Sequence, residues 1–122
     1  MNETSLMAEA LGAFDEERWE DCEAALNVLL SNSPEHAEGN LLMARLAWLA
    51  QCPVEARTLA RTALQSNAED EDARELLAKA VAFLGHEHLR AQQYAAAISA
   101  FEELVTLRPE DPDAWAYPNT CV

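Results

Sequence analysis

The amino-acid sequence repeats itself at an interval of 34 residues. Cys22 aligns with Ala56, and Ala10 aligns with Ala44, at this interval. Apolar positions repeat in the same way, as in the pairs Leu26 and Ala60, and Leu30 and Leu64. A period of this length is typical of arrays of small helical units, in which each unit buries its apolar face against its neighbours. The chain is therefore predicted to be a short stack of similar units.

A third unit follows the second at a longer interval. Tyr94 stands 41 residues after Pro53, which is the period of 34 plus seven. Seven residues make two helical turns and rotate an apolar face by only about 20°, so they lengthen a helix and leave its buried face in place. A continuous apolar stripe supports this interpretation, and it consists of Ala73, Leu76, Leu77, Ala80 and Leu84. The sequence predicts one long helix from about Asp70 to Ala91.

Apolar residues at the 3.6-residue period predict six helices in all. Helix one spans about 3–15, helix three about 35–50 and helix five about 70–91. Helix two begins at Trp19 and ends before 31–34, helix four begins at Pro53 and ends before 66–68, and helix six follows a hinge at 92–94 and ends at Pro109. Ser33 is expected to cap helix three, with Pro34 at its first position. Helix six is predicted to bury a face of Ala97, Ile98, Phe101, Leu104 and Val105.

The third unit also carries a motif, made of Leu84, Gly85, Tyr94, Ala97, Phe101 and Pro109. The order of these residues resembles the tetratricopeptide repeat, a helical hairpin that binds other proteins. The first two units match less closely, since Cys22 stands at a helix crossing where the family has alanine, and Pro53 stands where it has an aromatic residue. Small residues remain at the crossings, as close helix packing requires.

The resemblance implies an all-α fold, a right-handed superhelix of antiparallel helical hairpins, with about six helices plus a short C-terminal helix. The repeats would span about 3–34, 35–68 and 70–109, and a partial fourth helix about 111–117. All of them would lie in a single domain of residues 1–122.

The charge of the chain excludes several classes of partner. Eight Lys and Arg residues stand against 22 Asp and Glu residues, which gives a net charge of −14. Binding to nucleic acid or to an anionic membrane surface needs a basic footprint, so neither is expected. No apolar run reaches the length of a membrane span, since Arg45 interrupts the best candidate. A cytoplasmic location is predicted, because the N-terminus lacks the basic segment of a signal peptide.

Residues that could carry chemistry are few and scattered. His86 and His88 are two apart on a helix and point to different faces, so they are not expected to share a metal. Cys22 is interpreted as a small core residue, because no base is placed near it in the sequence. The acidic runs lack the alternating pattern of a calcium loop. No enzymatic activity, metal or cofactor is predicted.

The function implied by the resemblance is binding of another protein, as an extended peptide or a helix, by an apolar concave groove. In this family the first helix of each hairpin lines the groove. Carried onto this sequence, the groove residues are Met7, Leu11 and Phe14 from helix one, Leu41, Arg45, Trp48 and Leu49 from helix three, and Lys79, Ala82, His86, Leu89 and Arg90 from helix five. The seven extra residues of helix five leave its register in the groove open.

Several alternatives stay open at this stage. The apolar residues of the groove are also compatible with a core covered by the N-terminus or by Trp115 and Tyr117, or with a homodimer formed through the groove or the C-terminal end. The size and acidity resemble small chaperones of secretion systems that hold an export substrate, and the chain could equally be a recruiting segment of a larger enzyme. Clamping of a chaperone's C-terminal carboxylate is not expected, because the positions that carry lysine and asparagine in such domains carry Met7 and Leu11 here.

Overall fold

Six α-helices make up the computed structural model, which describes residues 2–108. They are α1 (Glu3–Asp15), α2 (Trp19–Asn32), α3 (Ala37–Leu49), α4 (Pro53–Ser66), α5 (Glu71–Arg90) and α6 (Tyr94–Leu107). The number of helices and the long α5 confirm the sequence predictions. The predicted helix at 111–117 lies outside the described residues.

The helices pair in sequence order as three hairpins, α1 with α2, α3 with α4, and α5 with α6. The second and third hairpins also pack closely through α4 and α5, whereas α2 and α3 share a smaller contact. In the described part of the chain, no helix has the length and the apolar character that a membrane span requires.

The turn inside each hairpin has the same backbone geometry. Glu17, Gln51 and Gln92 adopt φ values of 60°, 62° and 62°. In the third turn, the amide of Gln92 donates to the Leu89 carbonyl, and the amide of Gln93 donates to the His88 carbonyl. The first two turns repeat this pair of hydrogen bonds, which ends a helix with one left-handed residue. The turn residues are separated by 34 and then 41 positions, so the period seen in the sequence is also the period of the backbone.

Replacing Gln92 with glycine is expected to raise the free energy of unfolding by about 0.5–1 kcal/mol. A residue with a Cβ is strained in the left-handed region, and glycine relieves that strain at some cost in chain entropy. Urea unfolding followed by circular dichroism measures the change. Gln65→Gly, in the last turn of α4, is the control and should lower stability, since its backbone is helical. Equal effects of the two variants would contradict the assignment of strain to this turn.

The start of α3 differs from the prediction. Ser33 does not cap α3, because its amide donates to the Leu29 carbonyl and ends α2 instead. The helix begins at Ala37, and the cap is His36, whose Nδ1 accepts a hydrogen bond of 3.0 Å from the Gly39 amide. The buried Asn40 side chain holds the preceding turn through its Nδ2, which donates to the carbonyl oxygens of Pro34 and His36.

Buried apolar side chains form two main clusters. One is built from α1 and α2 and includes Leu42 and Leu46 of α3. The other joins α3, α4, α5 and α6, and Phe101 lies at its centre with no exposed surface. The predicted stripe of α5 is buried throughout, as are Ala97, Phe101 and Leu104 on α6, whereas Ile98 is exposed and Val105 is half-buried. The core is thus divided into two clusters, which is consistent with the smaller contact between α2 and α3.

Candidate functional site

The first helices of the three hairpins meet around one open pocket of about 220 Å³. Phe14 comes from the end of α1, and Trp48 and Leu49 from the end of α3. Leu76 of α5 closes the floor, and it is nearly buried. Leu49 lies at the opening with 55% of its surface exposed. This pocket, called the three-helix pocket below, is lined by Phe14, Arg45, Trp48, Leu49, Asp72, Glu75, Leu76 and Lys79.

Four charged side chains surround these apolar residues, two of each sign. Arg45 Nη2 lies 3.6 Å from Asp72 Oδ2, which pairs α3 with α5. Lys79 Nζ lies 3.6 Å from Glu75 Oε1 one turn earlier on α5. Both cations of the pocket therefore have a carboxylate beside them, and the Asp72 side chain is more exposed than its partner, at 67% against 41%.

Five of the twelve residues predicted for the groove line the three-helix pocket, namely Phe14, Arg45, Trp48, Leu49 and Lys79. Met7 and Leu41 are buried in the core, so they contribute little surface. Ala82 and Leu89 pack partly buried against the core around Phe101. Leu11 is exposed outside the pocket lining. The pocket thus combines these five predicted residues with Asp72, Glu75 and Leu76, which were not among the predicted groove residues.

His86 and Arg90 lie further along α5, beyond the pocket. The His86 ring meets the Phe101 ring edge-on, with centroids 5.5 Å apart, so it packs onto α6 of its own hairpin. Arg90 pairs with Glu87 at 3.1 Å. His86 and Arg90 therefore lie on α5 beyond the residues that line the three-helix pocket.

A second pocket, with a volume of about 420 Å³, shares Trp48 with the three-helix pocket. It is lined by Trp48, Gln51, Pro53 and Phe83 and is called the Phe83 pocket below. The Trp48 and Phe83 rings meet edge-on, with centroids 6.1 Å apart, and Phe83 keeps 44% of its surface exposed. Phe83 was not among the predicted groove residues, although its place four residues after Lys79 puts it on the same side of α5.

The titratable side chains of residues 2–108 include no group of three histidine, cysteine or acidic residues placed to hold a metal. His88 Nδ1 lies 2.8 Å from Gln93 Oε1, and His36 caps α3. Burial raises the pKa of the Cys22 thiol, and the carboxylate of Glu23 adds to the effect. A protonated, buried thiol is a poor nucleophile, so Cys22 acts as a core residue.

Cys22 is expected to react with a thiol reagent far more slowly than Cys52 in the folded chain. Cys22 is fully buried and stays protonated, whereas Cys52 is partly exposed before α4. A Cys121→Ser background leaves these two thiols, and Ellman's reagent should then titrate one of them rapidly without denaturant and both in urea. Rapid reaction of both thiols in the native chain would contradict this placement of Cys22.

Comparison with solved structures identifies the architecture. The chain is similar to the TPR domain of Arabidopsis OM64, with 13% identity, a TM-score of 0.62 and coverage of 98% of this chain and 93% of that one. The TPR2B domain of yeast Sti1 has 17% identity, a TM-score of 0.61 and coverage of 96% and 88%. The second TPR domain of human RPAP3 has 17% identity, a TM-score of 0.63 and coverage of 98% of both chains.

No protein-family model matches the sequence, and no curated protein matches it. At the low identities of the structural neighbours, the likeness is one of backbone arrangement. Together with three hairpins whose turns repeat at the sequence period, it establishes the architecture. The chain therefore has the fold of a tetratricopeptide-repeat domain.

Proposed function

We propose that the chain is a protein-interaction module, which binds a segment of a partner protein on the face formed by α1, α3 and α5. The observation that carries the proposal is the three-helix pocket, where the half-buried Phe14 and Trp48 and the exposed Leu49, from two hairpins, lie beside α5. Exposed aromatic and aliphatic residues grouped in a pocket are the usual anchoring points of protein interfaces.

The size of the pocket favours a protein side chain as its occupant. Sites for small molecules usually have volumes of about 300–1,000 Å³ and enclose most of the ligand. The three-helix pocket has about 220 Å³ and is open to solvent, which suits one apolar side chain of a longer segment. A helix or an extended peptide could supply that side chain and continue along the face.

Two structural neighbours support the same class of function. The yeast Sti1 domain was solved as a complex with pHsp70, and the human RPAP3 domain was solved with the HSP70 peptide SGPTIEEVD. A scaffold, a chaperone that holds an export substrate, and a recruiting segment of an enzyme would all use such binding. The proposal covers what they share, the capture of a protein segment on this face.

Replacing Trp48 with alanine is expected to weaken binding of a selected peptide at least about tenfold, because buried tryptophans dominate interface energies. The peptide is chosen by display selection from a random library on the folded chain, and its Kd is measured by calorimetry. Tyr94→Ala is the control, since Tyr94 is an exposed aromatic residue on α6, away from the pocket. Circular dichroism checks that both variants stay helical.

Two results would contradict the proposal. One is failure of the selection to yield any peptide whose binding depends on Trp48. The other is a homodimer, detected by light scattering, that competes with every selected peptide, because the face would then be covered by a second copy of this chain.

A further inference from the structure

We infer that the partner segment is cationic and carries two apolar side chains, one for the three-helix pocket and one for the Phe83 pocket. This inference rests on the proposed function and specifies its ligand. It depends on three features of the described residues, namely the position of Trp48 between two pockets, the pairing of the cations, and the acidic start of α5.

Trp48 joins the two pockets into one binding surface. Trp48 lines both of them, so an apolar group in either pocket contacts the same residue. Leu76 and Phe83 mark the two pockets on α5, and seven residues of helix span about 10 Å. Two anchors at this separation are three residues apart in an extended segment and seven apart in a helix.

The charges of the surface disfavour an acidic segment. Arg45 and Lys79 each lie 3.6 Å from a carboxylate of the protein itself, so an incoming anion would compete with Asp72 and Glu75 for these two cations. The Asp72 and Glu75 side chains keep 67% and 53% of their surfaces exposed. The Arg45 and Lys79 side chains keep 41% and 57% of their surfaces exposed, so the two signs balance within the pocket. The excess of acidic residues in the whole chain therefore favours a lysine or arginine of the partner.

The N-terminus of α5 does not provide an anion site either. Free amides and the helix dipole would make this end attractive to a carboxylate or phosphate. Here Asp70 Oδ1 already accepts from the amides of Asp72 and Ala73, at 3.0 and 3.2 Å. The net charge of −14 acts in the same direction, because it attracts cationic segments from a distance and repels anionic ones. This ligand differs in charge from the peptide SGPTIEEVD bound by RPAP3, which has three acidic residues.

The composition of peptides selected from a random display library tests the inference. We expect the peptides that require Trp48 to carry an excess of lysine or arginine and two apolar residues at one of the two spacings. Replacing their basic residues with glutamate should weaken binding at least about tenfold, and added salt should reduce that difference.

Two protein variants separate the components of the inference. Glu75→Gln is expected to weaken binding of the cationic peptide about threefold. The matched control is Glu102→Gln, which removes the same charge from an exposed residue of α6, away from both pockets, and should have little effect on binding. Phe83→Ala should weaken binding of the peptide that carries two apolar anchors. It should not change binding of a peptide whose second anchor has been replaced by alanine.

The outcomes are distinguishable. This inference would be overturned if the peptides that require Trp48 were acidic, or if their affinity were unchanged by charge reversal and by Phe83→Ala. The proposed function would still stand in either case. A selection without any peptide that requires Trp48 would overturn both.

Discussion

Replacing Phe101 with alanine is expected to lower the free energy of unfolding by about 3–5 kcal/mol. The ring is fully buried, and it packs against Gly85 of α5 at the crossing of the third hairpin. It also meets the His86 ring edge-on. Alanine would leave a cavity where α5 and α6 meet. A domain of this size has a total stability of about 5–15 kcal/mol, so the variant should unfold at much lower urea concentration.

Phe83→Ala is the matched control, because it removes the same ring from the same hairpin. Phe83 is 44% exposed and makes one ring contact, with Trp48, so its loss should cost less than about 1.5 kcal/mol. Urea unfolding followed by circular dichroism compares the two variants. If they lost equal stability, Phe101 would not be the centre of the core that α5 and α6 share.

Much of the fold could be predicted because the pattern that encodes it is long and regular. Apolar residues recur at the helical period from Ala73 to Leu84, which is more than half of the 20-residue helix α5, and a pattern of that length favours a helix. The insertion of seven residues was recognisable for the same reason, since two full turns preserve the buried face. The start of α3 was predicted wrongly, because Ser33 and Pro34 also suit a helix start and only the packing shows that Ser33 ends α2.

The exposure of the candidate site residues was less predictable than the helices, for a physical reason. The helical period indicates that Met7 and Leu41 lie on apolar faces. The exposure of their side chains, however, depends on how closely the neighbouring helices approach. Met7 is covered within the first hairpin cluster, and Leu41 within the cluster that includes α5. Asp72 and Glu75 were not predicted as groove residues, because acidic residues are common in the first turns of a helix. Only their pairing with Arg45 and Lys79 places them at the pocket. That these residues bind a partner stays a prediction.

Replacing Gly85 with alanine is expected to lower the free energy of unfolding by about 1–3 kcal/mol, whereas the same change at Gly12 should raise it by about 0.5–1 kcal/mol. Both glycines lie within helices, where alanine is intrinsically better. A Cβ on Gly85 would lie 2.6 Å from Phe101 Cε1 and 2.9 Å from its Cζ. The ring is fully buried, so any shift that relieves this contact would disturb the core around it. A Cβ on Gly12 would meet nothing within 4 Å.

A second substitution shows whether the ring is the cause. In a Phe101→Leu background the clash with a Cβ on residue 85 is relieved, so Gly85→Ala should cost much less there than in the parent chain. The coupling between the two changes is expected to be about 1–2 kcal/mol, as is found for side chains in contact. Strictly additive effects would contradict the close approach of α5 and α6 at this crossing. The four chains of the cycle, compared by urea unfolding, therefore test why the most complete of the three repeats has glycine at this position.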